Sequence, residues 1–125
     1  MAHILLAEDE DSVRQFVVIA LQSSGHTVIA ASDGGLAAEI LDKEGASFDL
    51  LLSDIRMPVM DGIALALHTA ARWPELPILL MTGFADQRER AEDLSQVIRD
   101  VLTKPFTLQQ IRAAVHEAAE ETLAA

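Results

Sequence analysis

The sequence contains no cysteine, and only nine of its 125 residues are lysine or arginine. Without thiols the chain can form neither a disulfide nor a cysteine nucleophile, which fits a cytoplasmic protein. A formal charge of −11 disfavours nucleic acid, since binding it requires basic residues that neutralise phosphates. No apolar run approaches the roughly 20 residues of a membrane span, and no basic segment precedes the first apolar run. We therefore expect a cytoplasmic protein without nucleic-acid or membrane partners.

Short apolar runs alternate with helical patterns along the whole chain, which is typical of a parallel sheet covered by helices. Half of the residues are apolar, and the length suits one domain, so we expect a single domain over residues 1–125 with no output domain. The predicted strands are residues 4–7, 26–31, 48–53, 78–81 and 101–103. Predicted helices follow residue 9, include residues 36–41, and cover residues 63–73 and 87–94. The last helix starts at Thr107, where Thr107 and Gln110 have capping-box spacing.

The first helix has an apolar stripe at helical spacing that ends before Gly25. This pattern leaves two further apolar residues, Val18 and Ile19, on the outward side of the helix. The residues that we expect to face the core are Val13, Phe16, Val17, Ala20 and Leu21.

Four of the predicted strands end in side chains suited to phosphoryl chemistry. Glu8 and Asp9 follow the first strand, Asp54 the third, Thr82 the fourth and Lys104 the fifth. In open α/β sheets the carboxyl ends of the strands form the site, so these groups should converge at one edge. Three carboxylates that lie close together need compensation, and a divalent cation such as Mg²⁺ supplies it through oxygen ligands.

These motifs resemble the receiver domain of bacterial two-component response regulators. The matching segments are Glu8-Asp9, Asp-Ile-Arg-Met-Pro-Val-Met-Asp-Gly over residues 54–62, Thr82-Gly83 and Lys104-Pro105-Phe106. Residues 4–9 and 82–85 further resemble single-domain CpdR-like receivers. The resemblance implies a flavodoxin-like three-layer α/β/α fold with a five-stranded parallel sheet of order 2-1-3-4-5.

The resemblance also implies the role of each acidic residue. Asp54 would accept a phosphoryl group from a histidine kinase or histidine phosphotransferase. Asp9 and Asp54 would bind Mg²⁺ directly, Glu8 would bind it through water, and the main-chain carbonyl of Arg56 would add a ligand. Such a protein is a switch and not an enzyme, with only self-phosphorylation and slow autodephosphorylation expected.

Thr82 and Lys104 would contact the phosphoryl group, with Gly83 and a cis peptide bond before Pro105 in supporting roles. One position departs from many receivers, because Val101 stands where they carry Tyr or Phe. Rotation of an aromatic ring cannot then report phosphorylation, and we expect movement of the loop after Thr82, including Phe84, to do so. Val18 and Ile19 are candidates for docking the phosphodonor.

Several alternatives stay open at this point. The chain could act as a phosphorelay intermediate or phosphate sink, or as a CpdR-like adaptor for proteolysis by a ClpX-type AAA+ protease. Residues 122–125 resemble a Leu-Ala-Ala degradation tail, although an alanine-rich helix end explains them too. A Mg²⁺-dependent phosphohydrolase would need a general acid at the position that Arg56 occupies. A flavin-binding module would have to hold the flavin's phosphate in the loop after the first strand, where the acidic residues 8–11 would repel it. We expect a monomer or weak dimer.

Overall fold

The computed structural model describes the backbone of residues 1–124 and the side chains of residues 1–84 and 87–119. Strands and helices alternate along the chain, with a short 3₁₀ turn at Gly45–Ser47. In chain order the elements are β1 His3–Ala7, α1 Asp11–Ser23, β2 Thr27–Ala31, α2 Gly34–Glu44, β3 Leu50–Asp54, α3 Gly62–Arg72, β4 Ile78–Thr82, α4 Ala85–Glu92, β5 Asp100–Thr103 and α5 Leu108–Ala124.

The five strands form one parallel sheet in the order β2-β1-β3-β4-β5, which confirms the predicted fold class. Every residue of β3 and β4 is buried, as expected for central parallel strands covered on both faces. Asp54 pairs with Met81, and Thr82 pairs with Thr103. This register places the carboxyl ends of β3, β4 and β5 at the same edge of the sheet.

Two apolar layers cover the two faces of the sheet. Leu5, Leu51 and Leu80 point into the layer that includes residues of α2, α3 and α4. Ile4 and Leu52 point into the opposite layer, which includes residues of α1 and α5. Neighbouring strand residues alternate between the layers because successive side chains of a strand point to opposite faces. The two layers hold the sheet rigid beneath its carboxyl edge.

Helix starts follow local sequence closely. The capping box is confirmed: the Gln110 N–H donates to the Thr107 hydroxyl at 3.0 Å, and the Thr107 N–H donates to Gln110 Oε1 at 2.8 Å. Asp33 caps α2 by accepting from the Leu36 N–H, and the two glycines that follow Asp33 begin the helix. The third strand was predicted to begin at residue 48, which is too early, because β3 begins at Leu50.

The outward face of α1 differs from the prediction. Phe16 was expected to face the core, but its side chain is 39% exposed. Val18 was expected to point outward, but it is partly buried against the layer that contains Val17 and Leu21. Ile19 is 64% exposed, as predicted. Phe16 and Ile19 are therefore the exposed large apolar residues of α1, and the prediction that Val18 points outward was wrong.

Among the helices that the structure describes, none is both long enough and apolar enough to cross a membrane. The predicted degradation tail over residues 122–125 lies outside the part of the chain whose side chains are described, and Ala125 lies outside the described backbone. It stays a prediction.

Candidate functional site

Buried polar side chains cluster at the carboxyl edge of the sheet, where the sequence placed them. Glu8 is fully buried after β1, Asp54 is 7% exposed at the end of β3, and Thr82 is 1% exposed at the end of β4. Buried polar groups are costly unless they have partners. Most of the core elsewhere is apolar, so this edge is the part of the protein where chemistry is concentrated.

Lys104 supplies the positive charge that these carboxylates need. Its Nζ lies 2.8 Å from Glu8 Oε1 and 3.3 Å from Asp54 Oδ2. The three residues follow three different strands, so the sheet itself brings them together. Lys104 therefore pairs directly with Glu8 and Asp54.

Backbone N–H groups fix the remaining carboxylate oxygens. The Ile55 N–H donates to Asp54 Oδ1 at 2.9 Å, and the Glu10 N–H donates to Glu8 Oε2 at 3.1 Å. Arg14 on α1 donates to the main-chain carbonyl of Glu8 at 3.0 Å, which ties the start of that helix to the site. Both carboxylates are thus oriented before any ligand arrives.

Burial dominates the acid–base properties of the site. It raises the pKa of Glu8 from 4.5 to about 7, although the hydrogen bonds from Lys104 and from the Glu10 N–H oppose the change. Burial also raises the pKa of Asp54, again against the Lys104 charge. Burial alone would lower the pKa of Lys104, but the hydrogen bond to Glu8 and the charge of Asp54 raise it overall. The buried carboxylates of Glu8 and Asp54 are therefore costly to ionise even beside Lys104. A bound cation would reduce that cost.

The acidic residues fit a hard divalent cation. Glu8, Asp9 and Asp54 each offer a carboxylate oxygen, and these oxygens lie within 4.8 Å of one another. Two of the three residues are buried while Asp9 is exposed, so the cluster opens to solvent on the Asp9 side. Oxygen ligands with open positions for water are what Mg²⁺ requires. The described histidines add no ligand to this group.

The loop between β3 and α3 is held tightly against the site. A Cβ at Gly62 would lie 2.1 Å from the Asp54 carbonyl oxygen, so only glycine allows α3 to start there. Asp61 caps that helix by accepting from the Ala64 N–H at 2.8 Å. Val59 adopts φ 71° and is 85% exposed, an unusual conformation for a β-branched residue.

Thr82 lies beside the carboxylate cluster with its hydroxyl fully engaged. The hydroxyl donates to Gln87 Oε1 at 2.9 Å and accepts from the Phe84 N–H at 3.1 Å. A Cβ at Gly83 would meet Lys104 Cβ at 3.8 Å, an ordinary contact, so sterics alone do not require glycine there. The peptide bond between Lys104 and Pro105 is cis, as the resemblance implied.

Two residues near the site, Val101 and Arg56, lack the side chains that an aromatic switch and a hydrolase would need at those positions. Val101 is 6% exposed and packs in the layer that contains Ala91 of α4, so no ring is available there to rotate. Arg56 places its guanidinium over the Phe84 ring at 5.2 Å from the ring centroid.

An apolar groove adjoins the site, and sequence reasoning missed it. It has a volume of about 430 Å³ and lies between the first turns of α1 and the segment that follows β5. The rings of Phe16 and Phe106 lie 6.3 Å apart there. Lys104 lines the same groove, so the groove is continuous with the carboxylate cluster. The groove-lining residues are Ser12, Val13, Phe16, Lys104, Pro105 and Phe106.

Comparison with known proteins agrees with the geometry. A family model described as the response regulator receiver domain matches residues 4–116. The chain belongs to this family. It is 41% identical over 111 residues to the response regulator receiver protein CpdR of Brucella abortus (strain 2308), which covers 89% of this chain and 91% of that protein.

A second relative, the sensor kinase CckA of the same organism, is 37% identical over 120 residues. The match covers 96% of this chain but only 13% of the kinase. A solved receiver domain protein from Clostridium thermocellum has a TM-score of 0.90 at 23% identity, covering 99% of this chain and 98% of that one. This structural likeness shows the same fold.

Receiver domains act as phosphoacceptor switches in two-component systems and bind Mg²⁺ at an acidic pocket. This chain has an acidic cluster of Glu8, Asp9 and Asp54 that could hold such an ion.

Proposed function

We propose that this chain is a receiver in which Asp54 accepts a phosphoryl group in a Mg²⁺-dependent reaction and thereby changes partner binding. The observation that carries the proposal is the position of Lys104 Nζ, 2.8 Å from Glu8 and 3.3 Å from Asp54, at the edge where the acidic residues meet. We further propose that residues 1–125 act as one receiver domain in the cytoplasm. The donor is a histidine kinase or histidine phosphotransferase.

Asp54 is the proposed nucleophile. One carboxylate oxygen attacks phosphorus, the bond between phosphorus and the donor's imidazole nitrogen breaks, and the freed imidazole takes up a proton from solvent. The Ile55 N–H bond to Oδ1 leaves the other oxygen, Oδ2, as the atom beside Lys104. Phosphoryl transfer depends mainly on positioning and charge stabilisation, and both are present here.

Neighbouring groups then stabilise the acyl phosphate. Lys104 moves its charge from the free carboxylates to a phosphoryl oxygen, and the Thr82 hydroxyl donates to another. Glu8, Asp9 and the main-chain carbonyl of Arg56, together with Asp54, are the proposed ligands of Mg²⁺. When bound, Mg²⁺ supplies positive charge beside the phosphoryl oxygens and offsets repulsion among the carboxylates.

The apolar groove lined by Phe16 and Phe106 is the proposed docking site for the donor. Its continuity with Lys104 supports this, because a helix that lay in the groove would bring its histidine to the acidic edge. Ile19 extends the apolar surface along α1 and is 64% exposed. We leave Val18 out of the proposed surface, because it is partly buried against the layer beneath α1 and does not line the groove.

For the output we propose a CpdR-like adaptor role in regulated proteolysis by a ClpX-type AAA+ protease. Similarity to CpdR over 91% of that protein supports this assignment over a relay intermediate or phosphate sink. Affinity capture with wild type, wild type plus beryllofluoride, and Asp54→Ala tests it. Recovery of the protease in one phosphorylation state only supports the adaptor, and recovery of a phosphotransferase alone supports the relay.

A phosphohydrolase with an aspartyl phosphate is disfavoured by Arg56. That position would need a general acid, and a guanidinium stays protonated at any working pH.

The direct test is labelling with acetyl phosphate. Wild type should gain one phosphoryl group by intact mass when Mg²⁺ is present and none with EDTA. Asp54→Asn should gain none. Asp61→Asn is the matched control, because asparagine also caps a helix and the residue lies outside the acidic cluster. A label of wild-type yield on Asp54→Asn would overturn the assignment.

A further inference from the structure

The hydrogen bonds of Thr82 show that its hydroxyl is already committed in the unphosphorylated protein. It donates its one proton to Gln87 Oε1 at 2.9 Å and accepts from the Phe84 N–H at 3.1 Å. A threonine hydroxyl has a single proton to donate. At 1% exposure Thr82 also has little access to water as an alternative partner. Any phosphoryl oxygen that needs this proton must take it from Gln87.

Gln87 lies in the first turns of α4, and the next residue ties the same helix to the neighbouring strand. Arg88 Nη1 donates to the main-chain carbonyl of Val101 at 3.1 Å and also to the Thr103 hydroxyl. Two consecutive residues thus connect α4 to the ends of β4 and β5. Gln87 connects the helix to the hydroxyl that the proposed function assigns to phosphate, and its contact is the one that takes the hydroxyl proton.

We propose that Gln87 is a positioning residue that holds the Thr82 hydroxyl toward α4 and competes with the phosphoryl group for its proton. This inference rests on the proposed phosphorylation of Asp54. When the hydroxyl turns to the phosphoryl group, Gln87 loses this partner, while the hydrogen bonds from Arg88 to β5 remain. The state of Asp54 is thereby transmitted to α4.

The contact between Gln87 and Thr82 provides a readout of phosphorylation that the residue at position 101 cannot. A valine that packs in the core has no ring to follow the threonine. The Gln87 amide, by contrast, reaches the Thr82 hydroxyl from the helix whose position would change. The readout in this chain is therefore a polar contact between β4 and α4.

The experiment measures the apparent affinity for beryllofluoride at saturating Mg²⁺, by amide NMR, in wild type and Gln87→Leu. Leucine removes the acceptor but keeps a strong helix former. Affinity should increase about three- to tenfold in Gln87→Leu, which corresponds to the net strength of one hydrogen bond. Glu89→Leu, an exposed change on the same helix, should leave the affinity at the wild-type value.

The same pair is then compared in a Thr82→Ala background, where a merely structural effect of Gln87 would persist. We expect Gln87→Leu to change beryllofluoride affinity less than twofold there, because no hydroxyl remains to compete for. An affinity that Gln87→Leu leaves unchanged in the protein that retains Thr82, or an equal gain with and without the Thr82→Ala change, would overturn the inference. Beryllofluoride that fails to bind wild type at all would overturn the proposed function, and the role of Gln87 with it.

Discussion

Replacing Lys104 by methionine should destabilise the protein in a pH-dependent way. The ammonium group lies within 3.3 Å of both Glu8 and Asp54, and its removal leaves two buried carboxylates without a counter-charge. Removal of one partner from a fully buried pair costs roughly 3–5 kcal/mol, but the Lys104 side chain is 21% exposed and water can partly replace it. We therefore expect a loss of about 2–3 kcal/mol in the free energy of unfolding at pH 8.

The direction of the pH effect follows from the pKa of Glu8. Its folded-state pKa, about 7, lies above its ordinary value of 4.5, so the folded protein binds a proton that the unfolded chain releases. The stability from that proton is fully present below pH 4.5 and is lost as the pH rises through 7. At pH 5 Glu8 is protonated and needs no lysine. The cost of Lys104→Met should then fall to about 1 kcal/mol, from the lost Asp54 pair.

Urea unfolding followed by circular dichroism, at pH 5 and pH 8 with EDTA, measures both values. Lys43→Met is the matched control, since Lys43 is the other lysine of the chain and is exposed. Mg²⁺ at a hundredfold excess over its dissociation constant should restore about 2.7 kcal/mol to Lys104→Met at pH 8. An equal loss at both pH values would refute the view that Lys104 neutralises ionised carboxylates.

Three further changes test other parts of the structure. Asp9→Asn should weaken Mg²⁺ binding at least tenfold by titration calorimetry, which is roughly the loss of one charged ligand. The control Asp11→Asn should leave Mg²⁺ binding unchanged, and equal weakening in both variants would contradict the assignment of Asp9. Phe16→Ala should slow phosphoryl transfer from a protein donor about tenfold without changing the reaction with acetyl phosphate. Ile29→Ala, equally exposed at 39%, should change neither rate. Unchanged transfer in Phe16→Ala would rule out the docking site. Val59→Asn should raise the free energy of unfolding by about 1 kcal/mol, because asparagine tolerates positive φ; a loss would show that Val59 is not strained.

Local patterns predicted much of this structure. Continuous apolar runs located the strands, and the capping box of Thr107 and Gln110 located a helix start, because both depend on neighbours in sequence. Boundaries were less predictable at Phe48, which was assigned to a strand. Its ring stacks on His3 with centroids 4.6 Å apart, a contact that an apolar pattern cannot distinguish from strand burial.

Other features depend on distant parts of the chain. Phe16 has helical spacing with the core residues of α1, but its ring meets Phe106 from the segment after β5. Periodicity predicts which residues share a helix face but not how far the neighbouring elements cover it. No sequence pattern predicts the role of Gln87. That role depends on the fold, which places the side chain 2.9 Å from the Thr82 hydroxyl.

The most direct measurement of the central claim locates the phosphoryl group chemically. Wild type is incubated with acetyl phosphate and Mg²⁺ and then reduced with borohydride, which converts a phosphorylated aspartate to homoserine. Peptide mass spectrometry should find homoserine at position 54 and at no other aspartate, and none when EDTA replaces Mg²⁺. Homoserine at Asp9 or Asp61, or a phosphoryl label that resists borohydride, would contradict the account.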